Sequence, residues 1–133
     1  MTTRASQPEA WFEKAEHDFL AIENNLAGSR VPWDIVTFNA QQGAEKYLKG
    51  FLVHCGVPKI HDLVSLLQEC RLHDDTLESL RHECERLSRL GWASRYPDAP
   101  EEIDESTARQ AAELANRVRD AIRQRVPAGE APE

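Results

Sequence analysis

Three segments of the chain carry side chains whose types and spacing could do chemistry. In the first, Asn39-Ala40-Gln41-Gln42-Gly43-Ala44-Glu45-Lys46-Tyr47-Leu48-Lys49-Gly50, helical spacing sets Asn39, Gln42, Lys46 and Lys49 on one narrow polar stripe. The second, Pro58-Lys59-Ile60-His61-Asp62-Leu63, places a histidine beside an aspartate suited to cap a helix. The third, Ser94-Arg95-Tyr96-Pro97-Asp98, locks an Arg-Tyr pair with a proline. Cations of this kind meet phosphate, tyrosine stacks on a base, and histidine exchanges protons near neutral pH. Loops bearing Arg and Tyr on a rigid scaffold are frequent binding elements. Each segment also has a purely architectural reading. Gly43 would mark a close helix crossing, Glu45 and Lys49 an ordinary i,i+4 ion pair, and His61 a residue serving only local capping.

Other chemistries find no support in the residue pattern. No strand leads into a glycine-rich loop, so dinucleotide fingerprints and P-loops are excluded. There is no His-Glu-x-x-His, and His54, His61, His73 and His82 are not arranged to close a metal site. A serine on a strand-to-helix elbow is likewise missing. Cys55, Cys70 and Cys84 are odd in number, widely spaced and without a Cys-x-x-Cys pair, so they read as small buried hydrophobes in a reducing compartment. No metal and no cofactor is expected.

The elements that must position the three segments are helices. Ser6-Gln7-Pro8-Glu9 has the form of a capping box, and Phe12, Ala15, Phe19, Ile22 and Leu26 follow at spacings of three and four before Gly28-Ser29. A second helix runs from near Pro32 to about Cys55. Its Val36, Ala40, Gly43, Ala44, Tyr47, Leu48, Phe51, Leu52 and Cys55 fill one broad arc, with Phe38, Ile35 and Val53 breaking the polar side. So apolar a helix is the hub of a bundle or lies in a subunit contact. Gln41 falls inside that arc, where an amide must be hydrogen-bonded or cost on the order of 1–3 kcal/mol. A short third helix capped by Asp62 turns Leu63, Leu66, Leu67 and Cys70 inward. A fourth, capped by Asp74 or Asp75, carries Leu77, Leu80, Cys84, Leu87 and Leu90 and ends at Gly91. The stretch from Trp92 to about Asp104 is an ordered loop. The last helix carries Ala108, Ala111, Ala112, Ala115, Val118, Ile122 and Val126, and a Pro/Ala/Gly/Glu tail from 127 to 133 frays. The pattern predicts an all-α, up-and-down bundle of four to five helices in one domain over 9–126, with 1–8 as a lead-in.

Composition fits that class. The chain has 133 residues, 41% hydrophobic and 29% charged, with a net charge of −7. Such a charge disfavours broad nucleic-acid coating, which draws on many phosphate contacts, yet leaves room for a local basic site. Four arginines face two glutamates between Arg81 and Arg95, whereas six acids face one arginine between Asp98 and Glu113. Polarisation of this sort marks a partner more often than a substrate. No apolar run approaches the roughly 20 residues needed to cross a bilayer, and Met1 to Ser6 lacks the apolar stretch of a secretion signal, so cytoplasmic residence is expected.

Taken in order, Trp11-Phe12-Glu13-Lys14-Ala15-Glu16-His17-Asp18-Phe19, then Phe38 to Lys49, then His61-Asp62-Leu63, then Arg95-Tyr96-Pro97-Asp98 resemble the prokaryotic HEPN domain family over roughly Glu9 to Val126. The resemblance implies a helical bundle of four or five helices, usually a homodimer. It further implies association with a minimal nucleotidyltransferase, nucleotide or RNA binding, and in many members RNase activity as a toxin in a toxin–antitoxin-like system. That RNase branch carries Arg, then four to six residues, then His, with the histidine as acid/base and the arginine steadying the phosphate. No arginine here meets a histidine at that spacing; Arg71, Arg81 and Arg86 instead meet Thr76, Leu77 and Glu78, then Arg86, Leu87 and Ser88, then Gly91, Trp92 and Ala93. The RNase assignment therefore does not carry over.

Three functions remain as expectations. In the first, a HEPN-type dimer binds a nucleotide, a nucleotidyltransferase or both, in a cleft lined by Asn39, Gln42, Lys46, Lys49, His61, Arg95, Tyr96 and Asp98. Lys46 and Arg95 would meet phosphate there, and Tyr96 would stack or serve as a modification acceptor. In the second, folding brings His61 and Arg95 together as the catalytic pair of a metal-independent RNase. The third is a structural helical dimer whose polar stripe is solvated surface or partner contact.

Overall fold

A proline sets where the first helix begins. Pro8 occupies the first helical position, where its missing N–H is no loss, and α1 runs Pro8–Leu26. The computed structural model describes residues 7–56 and 63–126. Gln7 is the N-cap of α1 and makes no side-chain cap bond, while Ser6 of the expected capping box lies outside the described residues. The second helix, α2, runs Trp33–His54 and stops at Cys55-Gly56, where Gly56 takes a φ of 83° that only glycine adopts without strain.

Beyond it, α3 spans Leu63–His73, a 3-10 segment Asp75–Leu80, α4 Arg81–Ala93 and α5 Glu105–Arg125. The expected caps Asp62 and the tail from 127 lie outside the described residues. Asp74 caps by accepting from the Thr76 backbone N–H at 3.0 Å, and Asp104 caps α5 by accepting from Thr107 N–H at 2.9 Å. Two expectations require correction. The segment after Asp74 is a 3-10 helix, so α4 itself starts only at Arg81. Gly91 does not end α4 either; the helix continues to Ala93, and Gly91 is buried where a Cβ would stand 2.5 Å from Gln41 Cγ. Close helix contact, rather than termination, explains that glycine.

Helix α2 is the hub, packing against α1, α3, α4 and α5. Val36, Ala40, Ala44, Tyr47, Leu48, Phe51 and Leu52 on its apolar arc are all buried. Two further glycines admit the rings of α1: a Cβ on Gly43 would stand 2.9 Å from Phe19, and one on Gly50 only 2.4 Å from Phe12. Gln41 is buried with its amide satisfied, donating to Glu45 at 3.0 Å and accepting from Gln42 at 2.8 Å. The stripe Leu77, Leu80, Cys84, Leu87, Leu90 closes the core from the other side, together with Ala108, Ala111, Leu114, Ala115, Val118 and Ile122 of α5. Among the described residues no strand occurs, and no helix is long and apolar enough to cross a membrane.

Candidate functional site

The turn after α4 is built to present Arg95 and Tyr96. Ser94 Oγ donates to the Gly91 carbonyl at 2.8 Å, and the backbone N–H groups of Arg95 and Tyr96 donate to Trp92 and Ala93. The chain then turns again, with Ala99 N–H donating to the Tyr96 carbonyl. Proline at 97 removes one donor and stiffens the same stretch. Arg95 Nε donates to the Gly91 carbonyl at 3.1 Å, and its guanidinium lies 5.5 Å from the centroid of Phe38 on α2. Among the described residues no carboxylate pairs with it, so most of its five donors are uncommitted. Tyr96, 48% exposed, stacks at a tilt on Trp92, 49% exposed, with ring centroids 5.1 Å apart.

Arg95 and Tyr96 line an open groove of about 670 Å³ between the turn and the start of α2. Its other walls include Pro32, Trp33 and Asp34 on one side and Glu101, Glu102 and Ile103 on the other. Glu101 is held by Arg86 of α4 at 2.7 Å, which ties the loop back onto the bundle. Three carboxylates therefore border the groove against a single arginine, and one of them is already paired.

The predicted stripe of α2 is distributed differently. Lys46 Nζ pairs with Asp18 of α1 at 2.7 Å. Lys49 pairs with Glu45 at 2.9 Å and lies over the Trp11 ring, confirming the i,i+4 ion pair. Gln42 donates to Gln41, and Asn39 is half-buried one residue beyond Phe38. None of the four lines the groove, and neither does the exposed Asp98. Eight residues separate Phe38 from Lys46, about 12 Å along a helix. The protomer thus brings Arg95 and Tyr96 together and commits both lysines to carboxylates elsewhere. His61 lies outside the described residues.

Sequence reasoning missed Trp92 and the platform role of Phe38, which it read only as an interruption of a polar stripe. The signal was present: Trp92 and Tyr96 stand four apart, a helical neighbour spacing. The three cysteines are free, with Cys70 and Cys84 buried and Cys55 half-buried. Burial pushes the Cys84 thiol up to about 12, which removes it from thiolate chemistry near neutral pH. Among the described residues no group of three His, Cys, Asp or Glu could hold a metal ion.

Comparison with curated proteins and with solved structures finds no match. A family model does match: the HEPN domain aligns with residues 8–125, nearly the whole chain and every described helix. On that match the chain belongs to the HEPN domain family.

Proposed function

We propose that this chain is a HEPN module without the family's nuclease chemistry, which binds a nucleotide at the Arg95 groove and works as a homodimer beside a minimal nucleotidyltransferase. Membership of the family supports nucleotide or RNA interaction at the level of the family. The observation that carries the reading is Arg95: a guanidinium laid on Phe38, held by one backbone carbonyl, unpaired by any described carboxylate, and adjacent to an exposed Trp92–Tyr96 stack. Guanidinium edges recognise phosphate oxygens, and exposed aromatic faces accept bases.

The charge balance of the groove narrows the ligand. A single arginine facing Asp34, Glu101 and Glu102 suits one phosphate and a hydroxyl-bearing sugar, because carboxylates accept hydrogen bonds from hydroxyls and repel further phosphates. A nucleoside monophosphate should therefore bind more tightly than its triphosphate. The missing Arg-x4-6-His spacing supports a role in binding rather than cleavage. Isothermal titration of AMP and ATP against wild type and Arg95→Ala tests the reading. It stands if Arg95→Ala lowers AMP affinity about tenfold or more, roughly the worth of one charge-assisted contact. Identical heats from both proteins remove Arg95 from the site. Incubation with total RNA and chelator tests the nuclease alternative directly, since cleavage abolished by Arg95→Ala would replace the binding role.

A further inference from the structure

A second group of cations lies on another face of α2. Tyr47 stands nine residues past Phe38, about half a turn round at 100° per residue. Its ring is fully buried and its hydroxyl donates to Glu16 of α1. Two arginines of α5 converge on the same carboxylate: Arg119 Nη1 lies 3.4 Å from Glu16 Oε1, and Arg123 Nη2 lies 3.5 Å from Oε2.

These contacts are longer than the tightest ion pairs of the molecule, although Arg117–Glu113 at 3.5 Å, Arg117–Glu83 at 3.6 Å and Arg81–Glu85 at 3.9 Å are no closer. Arg71–Glu78 closes to 2.6 Å, Arg86–Glu101 and Arg125–Asp74 to 2.7 Å, and Arg109–Glu105 to 2.9 Å. Besides the Arg119 hydrogen bond to Glu16, both guanidiniums rest on aromatic rings. The Arg119 guanidinium sits 4.9 Å from the Phe19 centroid, and that of Arg123 sits 5.3 Å from Tyr47 and 5.6 Å from Phe12. A guanidinium carries its donors in its own plane, so stacking on a ring leaves those edges available. Two positive groups share one carboxylate, and one of its oxygens already accepts from Tyr47. Both side chains keep about a third of their surface open, at 36% and 30%. Residues four apart on a helix lie side by side, about 6 Å apart at Cβ, a span that one tetrahedral anion can bridge.

We propose that Arg119 and Arg123 form an oxyanion site on the seam between α1 and α5, that its ligand is a phosphate group, and that Glu16 is its resident competitor. A phosphate offers more oxygens than a carboxylate to two guanidinium forks and balances the surplus charge. The rings fix both guanidiniums beforehand, which lowers the entropic cost of binding. This site is independent of the Arg95 groove. Its phosphate can come from a free monoester or from a nucleic-acid backbone.

Site-resolved NMR of the arginine Nε–Hε groups, with inorganic phosphate as the probe, tests the proposal. Arg119 and Arg123 should shift saturably in wild type and equally in Arg95→Ala. Glu16→Gln keeps an acceptor for Tyr47 but removes the competing charge, and should tighten phosphate binding several-fold. Arg119→Lys with Arg123→Lys keeps charge but loses the fork, and should weaken it about tenfold. Parallel titrations with AMP and with a short oligoribonucleotide identify the source, the tighter of the two being the ligand class. The proposal is overturned if phosphate produces no saturable shift. It is also overturned if Glu16→Gln lowers the melting temperature but leaves phosphate affinity unchanged, the signature of arginines that merely brace α1.

Discussion

Arginine lies on aromatic rings on two faces of the hub helix, yet the two regions are built on different foundations. At the groove, Arg95 rests on a half-buried Phe38 beside a Trp92–Tyr96 pair that is half exposed. At the seam, Arg119 and Arg123 rest on Phe12, Phe19 and Tyr47, whose rings belong to the closed core. Phe12 stacks on Tyr47 at 5.1 Å and Phe19 meets it edge-on at 5.9 Å. The same cation–ring contact is therefore a surface feature in one place and the outer layer of the core in the other. Substitutions at the groove should change binding with little change in stability, whereas those at the seam should change both.

The largest expected effect lies at the seam. Tyr47→Ala should cost about 3–5 kcal/mol in urea denaturation, the usual price of emptying a buried aromatic site. Tyr96→Ala should stay within about 0.5 kcal/mol. Comparable losses from the two would erase the distinction. Next comes Gly50→Ala, which drives a Cβ into the Phe12 ring and should cost about 1–3 kcal/mol through overpacking. Gly91→Ala should cost a similar amount, because its Cβ would meet Cγ and Cβ of Gln41, the inner carbons of a buried and hydrogen-bonded side chain.

The pH dependence sharpens the contrast further. Burial, reinforced by the bond to Glu16, raises the Tyr47 phenol above its ordinary value of 10.0. The unfolded chain then ionises first, so this contribution to stability is complete below pH 10 and lost as pH rises beyond it. Tyr47→Phe should flatten that alkaline decline, measured as denaturation midpoints across the range. On the acid side, the Thr76 hydroxyl and then Arg125 hold Asp74 below its ordinary value of 3.8. Its contribution is present above that value and fades as pH falls through the lowered one, so Asp74→Asn should soften the acid limb. Arg95→Ala comes last: its denaturation midpoint should match wild type within about 0.5 kcal/mol while its affinity for AMP drops.

Much of this fold was legible before any coordinates. The apolar arc of α2 is buried as its periodicity required, Gly43 marks a close crossing, and Asp74 caps the segment that follows it. Gly91 was misread because a glycine near a helix end has two causes with one signature: a left-handed terminus or a close neighbour. Only the position of Gln41 distinguishes them. The 3-10 segment after Asp74 was missed for a related reason, since Leu77 and Leu80 at a spacing of three satisfy both helix types.

The candidate site was legible only in part. Arg95 and Tyr96 were recognisable because an Arg-Tyr pair fixed by proline in a connection is poorly explained by packing. The lysines of α2 were singled out from one helix alone, where their stripe looked uncommitted. Asp18 of α1 lies 28 residues away in the chain and takes up Lys46, a partner that helical periodicity within α2 does not reveal.

Local pattern determined the helices, the buried face of each, the hub and the absence of the Arg-x4-6-His spacing, because these follow from residue order over a turn or two. Tertiary structure decided which charges remain free. A guanidinium is held or uncommitted according to what packs beside it, and those neighbours come from distant parts of the chain: Phe38 beneath Arg95, Glu16 between Arg119 and Arg123. Pairs three or four apart on one helix, such as Glu45–Lys49, follow from residue order, whereas pairing between helices, such as Asp18–Lys46, is decided only by how the chain packs.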